Sequence, residues 1–314
     1  MNDAPAQPRA ELRFGLIAGI IAYGLWGLFP IYLKALLPTD ALEVVAHRIV
    51  WSVPFGALVL SMRKQWRETV AAIMKPKIVL LLGLSSIFIA GNWLVYVWSV
   101  DHNHVLEASL GYYINPLIFI ATGVIVLKER LSRLQTAAVI IAAIGVATLT
   151  VGAGVFPWQS FALAFLFTAY GFVRKTTPVG AMPGLFIETL LLSPVALFYL
   201  LWLAKTGALT FLHHSVALDI LLVLAGPVTI GPLVLFALAA RRLTLTTLGF
   251  LQYIGPTGQL FLGLYYGETF THYHAICFGL IWVALALVSF DAAKNSAVLR
   301  KPISPAAVSA TPKS

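Results

Sequence analysis

Residues 78–100 read IVLLLGLSSIFIAGNWLVYVWSV, twenty-three positions without a formal charge. As a helix rising about 1.5 Å per residue, this stretch is roughly 34 Å long, enough to cross a bilayer core of about 30 Å. Lipid offers a bare backbone no hydrogen-bond partner, so only helices and closed barrels span it, and continuous apolarity selects the helix. The rest of the chain follows the same pattern. Of 314 residues, 60% are hydrophobic and 11% charged, and mean hydropathy is +0.89. A soluble domain carries roughly a quarter charged residues.

Working outward from 78–100, the apolar runs are 14–37, 41–62, 105–127, 134–151, 156–173, 182–203, 218–239, 245–266 and 272–290. The expected fold is therefore all-α and integral to the membrane, with ten transmembrane helices. The first run is too long for the apolar region of a signal peptide and reads as a retained helix. Residues 292–314, rich in Ala, Ser and Pro with four basic residues, have the composition of a disordered tail.

Basic residues test this count, because cytoplasmic loops collect Lys and Arg. With residues 1–13 placed in the cytoplasm, 18 of the 21 basic residues fall on that side: Arg9 and Arg13, the 63–77 group, Lys128, Arg130, Arg133, Arg174, Lys175, Arg241, Arg242 and the tail. Lys34 and Lys205 fall outside and Arg48 lies within a span. A missed helix would reverse the bias downstream. Both termini are thus expected in the cytoplasm.

Net charge is +9, yet the basic residues form no stripe interleaved with exposed aromatics, so nucleic acid is not an expected partner. The single cysteine, Cys277, cannot form an internal disulfide, and no Cys or His spacing suggests a metal framework. Asp101, His102, His104 and Glu107 share a loop, but nothing fixes a ligand geometry there. No phosphate-binding loop, H-E-x-x-H or G-x-S-x-G stands in a suitable context, so no cofactor and no enzymatic chemistry is expected.

The two halves carry the same punctuation at an offset of about 140 residues. Tyr113-Ile114-Asn115-Pro116 answers Tyr253-Ile254-Gly255-Pro256, and Ala22-Tyr23-Gly24 answers Ala169-Tyr170-Gly171. Arg48 precedes Pro54 by six residues, as Glu188 precedes Pro194. Five helices per half is an odd number, so two such repeats, 14–151 and 156–290, are inverted. That symmetry marks alternating-access transporters, whose site lies between repeats near the midplane. A channel shares it, and a non-transporting sensor or assembly subunit would inherit it.

Candidate site residues follow from polarity inside spans. Arg48 and Glu188 are the formal charges well within them, where ionisable groups are costly and point to function. At about 1.5 Å per residue they stand roughly 10 Å inside one face and 9 Å inside the other. Two separate cavity-lining charges fit that spacing better than an ion pair, the alternative being a packing salt bridge reached by the long Arg side chain. Glu43 and His47, four apart on one helix face, suit either proton coupling or an interfacial hydrogen bond. Asn92, beside Trp93 and Tyr96, suits either a helix-to-helix hydrogen bond or a ligand contact. Pro116 and Pro256, taken as lying inside helices, free carbonyls one turn earlier. With Tyr112, Tyr113, Asn115, Gln252 and Tyr253 around them they are cavity candidates, against plain helix bending.

Glu107-Ala108-Ser109-Leu110-Gly111-Tyr112-Tyr113-Ile114-Asn115-Pro116-Leu117 resembles the signature of the RarD group of EamA-type permeases in the drug/metabolite transporter superfamily. His47-Arg48-Ile49-Val50-Trp51-Ser52, Asn92-Trp93, Lys128-Glu129-Arg130, Tyr170-Gly171-Phe172-Val173-Arg174-Lys175 and Ile187-Glu188-Thr189 resemble the group's patterns in the same order. The resemblance implies ten helices in two inverted repeats, a bacterial plasma membrane and a role in chloramphenicol sensitivity or resistance. The expected function is a secondary active permease for a small metabolite or drug, an exporter by analogy, with Glu188 as candidate proton carrier. Its expected partners are the lipid bilayer and a small-molecule substrate, with a homodimer left open.

Overall fold

The computed structural model describes residues 9–127, 131–154, 156–240, 242–243 and 251–299. Among them the regular structure is wholly helical: α1 Arg9–Gly27, α2 Phe29–Lys34, α3 Ala41–Met62, α4 Trp66–Ile73, α5 Pro76–Asp101, α6 Val105–Leu127, α7 Arg133–Ala153, α8 Trp158–Thr176, α9 Ala181–Thr206, α10 Val216–Ala240, α11 Ile254–Tyr265 and α12 His272–Leu299. Seven segments of the described chain are long and apolar enough to cross a membrane: Glu11–Lys34, Ala41–Met62, Pro76–Asp101, Arg133–Gly152, Ala181–Thr206, Val216–Ala239 and His272–Asp291. The chain is a multi-pass membrane protein.

Its surface is inside-out by the standard of a soluble protein. Leu80 and Phe198 are 75% and 72% exposed, whereas Arg48 is 5% and Glu188 0% exposed. Apolar side chains facing outward suit hydrocarbon, and polar ones retreat to the interior where protein groups satisfy them.

Local chemistry sets the helix ends. Asp40 caps α3 by accepting from the Leu42 amide at 2.8 Å, and Ser132 with Gln135 forms a reciprocal capping box on α7. Gly154 and Gly207 take left-handed conformations just past α7 and α9, where a Cβ would be strained.

Several elements depart from the sequence expectation, the turn at 252–253 within the expected run 245–266 among them. The run 14–37 is not one straight helix but breaks at Leu28 between α1 and α2. Pro30 supplies no N–H for the Trp26 carbonyl one turn earlier, and Gln259 Nε2 donates to that carbonyl instead, at 3.1 Å. Residues 66–73, expected as part of a basic loop, form α4, and Glu68 there accepts from the Gly180 amide at 2.7 Å. Finally, α12 runs to Leu299, past position 292 where the tail was expected to start.

Packing brings sequence-distant helices together. α1 lies on α10 and α11; α8 lies on α5 and α6; α3 packs against α9 and α10, α5 against α9, α6 against α11 and α7 against α12. Glycines permit the closest crossings. A Cβ on Gly258 of α11 would stand 3.0 Å from Gly27 Cα, and one on Gly111 of α6 would stand 2.8 Å from the Ser160 carbonyl oxygen. Small residues let helix backbones approach in this way where apolar association in lipid is weak.

Candidate functional site

Arg48 projects from the first half of α3 into the bundle. Its Nε donates to Thr229 Oγ1 of α10 at 3.2 Å, and its guanidinium carbon sits 4.9 Å from the Phe29 ring centroid and 4.6 Å from that of Trp93. Two aromatic faces thus bracket the cation, an arrangement Arg's planar, weakly hydrated head favours. The phenols of Tyr32, Tyr96 and Tyr112 are its electrostatic neighbours. No carboxylate of the described residues lies within 4.0 Å of it.

Glu188 sits on α9, nearer the opposite end of the bundle. Ser85 Oγ of α5 donates to its Oε1 and the Tyr170 hydroxyl of α8 to its Oε2 at 3.4 Å. Arg174 Nε stands 3.6 Å from Oε1, while Arg174 Nη2 donates to the Gly180 carbonyl at 3.2 Å. The buried carboxylate is therefore both paired and hydrogen-bonded, the condition under which such a group is tolerated in a dry interior. Arg48 and Glu188 do not pair with one another; each has its own partners.

An aromatic row connects the two. Phe29, under Arg48, stacks on Tyr96 at 5.9 Å; Tyr96 meets Tyr112 at 5.7 Å, Tyr112 meets Phe167 at 6.5 Å, and Phe167 meets Tyr170 at 6.1 Å. Tyr170 ends on Glu188. Tyr112 and Tyr170, at the middle and the end of the row, are half-buried.

The remaining candidates divide. His47 Nδ1 accepts from the indole N–H of Trp51 at 3.1 Å; an indole can only donate, so the neutral imidazole proton lies on Nε2, 3.8 Å from Glu43 Oε1. Glu43 is turned to another task, accepting from the amides of Thr210 and Phe211 at 2.9 and 3.1 Å. Asn92 Nδ2 donates to the Leu163 carbonyl at 3.0 Å, a helix-to-helix bond between α5 and α8. Asn115 Oδ1 accepts from Thr168 at 3.0 Å.

Tyr113, one residue and about 100° around α6 from Tyr112, faces away from the aromatic row. It bonds to Thr257 and stacks on Tyr253 at 6.2 Å, with Phe278 and Trp282 beside it. Gln252 and Tyr253 form the turn ahead of α11 and are half-buried. Pro256 is corrected: it occupies the first turn of α11 rather than a helix interior, where a missing N–H breaks no bond, and its carbonyl accepts from Ser109 Oγ at 2.8 Å. Pro116 lies within α6, and its side chain falls outside the described residues.

At the end of the bundle holding residues 102–104, a cavity of about 480 Å³ is lined by Trp98, His104, Glu107, Trp158, Glu268 and His274, among others. Glu268 accepts from the Val105 and Leu106 amides at 2.7 and 2.8 Å and so fastens the start of α6. Burial raises its carboxyl above the ordinary carboxylate range, the two amides pulling the other way. Among the described residues no group of His, Cys, Asp and Glu converges to hold a metal ion.

Sequence reasoning missed Arg174, Thr229, Ser85, Tyr170 and Phe29. Arg174 carried a signal, since it stands only four residues before the turn at 178, within reach of the start of α9. Tyr170 carried one too, standing in the repeated Ala169-Tyr170-Gly171, whereas Thr229, Ser85 and Phe29 carried none.

Known proteins bear on this site only through overall likeness. The family model described as the EamA-like transporter family matches residues 13–151. The chain is 45% identical over 292 residues to a Vibrio cholerae protein named an uncharacterized transporter, covering 93% of this chain and 97% of that one. It is 42% identical over 283 residues to protein RarD of Escherichia coli K12, with 90% and 96% covered. It is 31% identical over 293 residues to the chloramphenicol-sensitive protein RarD of Pseudomonas aeruginosa, with 91% and 96% covered. One crystal structure shares the fold at a TM-score of 0.57 and 19% identity, covering 89% of this chain and 98% of that one.

Proposed function

The chain belongs to the RarD group of EamA-like transporters, and from that premise we propose that it is a secondary active permease exporting a small metabolite or drug, with Glu188 carrying the coupling proton. On this reading ten spans form two inverted five-helix repeats, 14–151 and 156–290. The protein lies in a bacterial inner membrane with both termini in the cytoplasm.

The observation that carries the reading is an exchange of contacts between the halves. Arg48, on the second long helix of the first repeat, bonds to the third of the second repeat through Thr229. Glu188, on the second helix of the second repeat, bonds to the third of the first through Ser85. The packing supports the same exchange: α1 on α10 and α11 mirrors α8 on α5 and α6. Two polar centres in inverted positions, joined by an aromatic row, suit a path opened alternately from either side. Protonation of Glu188 would cancel its attraction to Arg174, and freeing that tie gives the proton a differential effect on two conformations, as coupling requires.

Counterflow tests the proposal. Purified protein in proteoliposomes, loaded with unlabelled solute and challenged with labelled solute from a metabolite panel that includes chloramphenicol, is expected to show saturable exchange for at least one member. Conductance without counterflow would make the protein a channel. Neither activity across the panel would favour a sensor or assembly subunit and sink the permease reading.

A further inference from the structure

Arg48 is a buried cation whose neutralising partner is not supplied by the described protein. Its Nε is used by Thr229, but Nη1 has no hydrogen-bond partner among the described residues, and neither does the buried hydroxyl of its neighbour Tyr96. Glu188 presents the contrast, with a guanidinium, a serine and a tyrosine all turned toward it. Arg keeps its proton in proteins, and an uncompensated charge within a span is costly. The aromatic faces of Phe29 and Trp93 soften that cost without removing it.

We propose that Arg48 and Tyr96 together form the anchor for a carboxylate on the transported molecule, and that the Tyr96, Tyr112 and Phe167 rings receive its flat apolar body. This deepens the permease reading and rests on it. One guanidinium neutralises one negative charge, so a monocarboxylate enters the span with no net charge, while a dianion would keep an excess charge in a medium that penalises it. The free Nη1 and the Tyr96 hydroxyl both donate, as a carboxylate's two oxygens require. The body of the ligand follows from the row itself. Tyr112 is the half-buried ring that meets Tyr96 at 5.7 Å, and its neighbour Phe167 continues the row at 6.5 Å. A planar ring stacks there edge-on or offset.

The test is a melting assay on purified full-length protein in lipid nanodiscs. The probes, compared well above pH 7 so that phenylphosphonate carries both charges, are phenylacetate, its uncharged isostere phenylacetamide, the cation phenethylamine and the dianion phenylphosphonate. Phenylacetate is expected to raise the melting temperature in a saturable way, since a ligand of the folded state stabilises it by mass action, and the other three are not. Arg48→Gln should abolish the shift and Arg48→Lys restore part of it. Tyr96→Phe, which keeps the ring packing, should weaken phenylacetate about tenfold, the equivalent of one lost hydrogen bond to a charged group. The inference is overturned if phenylacetamide or phenylphosphonate matches phenylacetate, if Tyr96→Phe or Arg48→Gln binds as wild type does, or if no carboxylate shifts the wild-type protein. Carboxylate binding without counterflow would sink the permease reading and leave this site standing. Counterflow confined to uncharged solutes would do the reverse.

Discussion

Arg174 Nε stands 3.6 Å from Glu188 Oε1 across the short turn that joins α8 to α9. The contact ties a carboxylate deep in one helix to a cation at the end of the helix before it. If Glu188 is the coupling group, Glu188→Gln, expressed at wild-type level, keeps exchange but no longer responds to an imposed pH gradient. Gradient-driven uptake and counterflow in the same proteoliposomes separate the two, and an unchanged response removes Glu188 from coupling.

Removing the other partner is expected to hurt stability more. Arg174→Gln leaves Glu188 buried with only hydroxyl donors, and stranding one member of a buried pair costs about 3 kcal/mol. Glu188→Gln strands only a partly exposed cation. Thermal melts of the two variants should therefore rank Arg174→Gln below Glu188→Gln, with the double variant recovering part of the loss.

Gly184 offers a gentler perturbation. A Cβ there would collide with the Arg174 guanidinium, whose flexible end can swing aside. Gly184→Ala is expected to shift the Arg174 guanidinium and lengthen its contact with Glu188 without breaking it, changing stability by less than about 1 kcal/mol while altering the pH dependence of transport. Equal effects on folding and transport would mean that the glycine serves packing alone.

Gln259 is predicted to hold the break in the first span. Its amide satisfies the Trp26 carbonyl that Pro30 leaves free, so Gln259→Leu buries that oxygen unpaired at a cost of about 1–2 kcal/mol. Pro30→Ala in the same background restores a donor and should recover stability. Failure to recover would show that the bond is not what Gln259 contributes.

Much of the fold was legible because hydrocarbon leaves few choices. The limits of α3 match the expected 41–62 and the start of α6 the expected 105, since charges and turn residues bound each run. The burial of two charges was legible as well: an Arg and a Glu inside apolar helices announce themselves, and both are buried. Their surroundings were not. Thr229 and Ser85 are small hydroxyls of a kind that helices tolerate anywhere, so one chain gives them no mark. Arg174 read as a loop cation because a count by loops ignores how far an arginine reaches back. Tyr112 and Tyr113 looked like one aromatic patch, but neighbouring positions on a helix point about 100° apart, and they serve different interfaces. Pro256 was misplaced because the residues before it turn, making it the start of a helix rather than its middle.

We propose that Tyr112 and Tyr170 edge one solute path running between Arg48 and Glu188. Cys277, the single native cysteine, is buried against α7, so Cys277→Ala gives a background for Tyr112→Cys and Tyr170→Cys in sealed vesicles of known orientation. The account predicts that a charged, membrane-impermeant thiol reagent labels both positions and that transported solute slows the labelling. Labelling by lipid-soluble reagent alone, with the charged one excluded from both sides under all conditions, would contradict it.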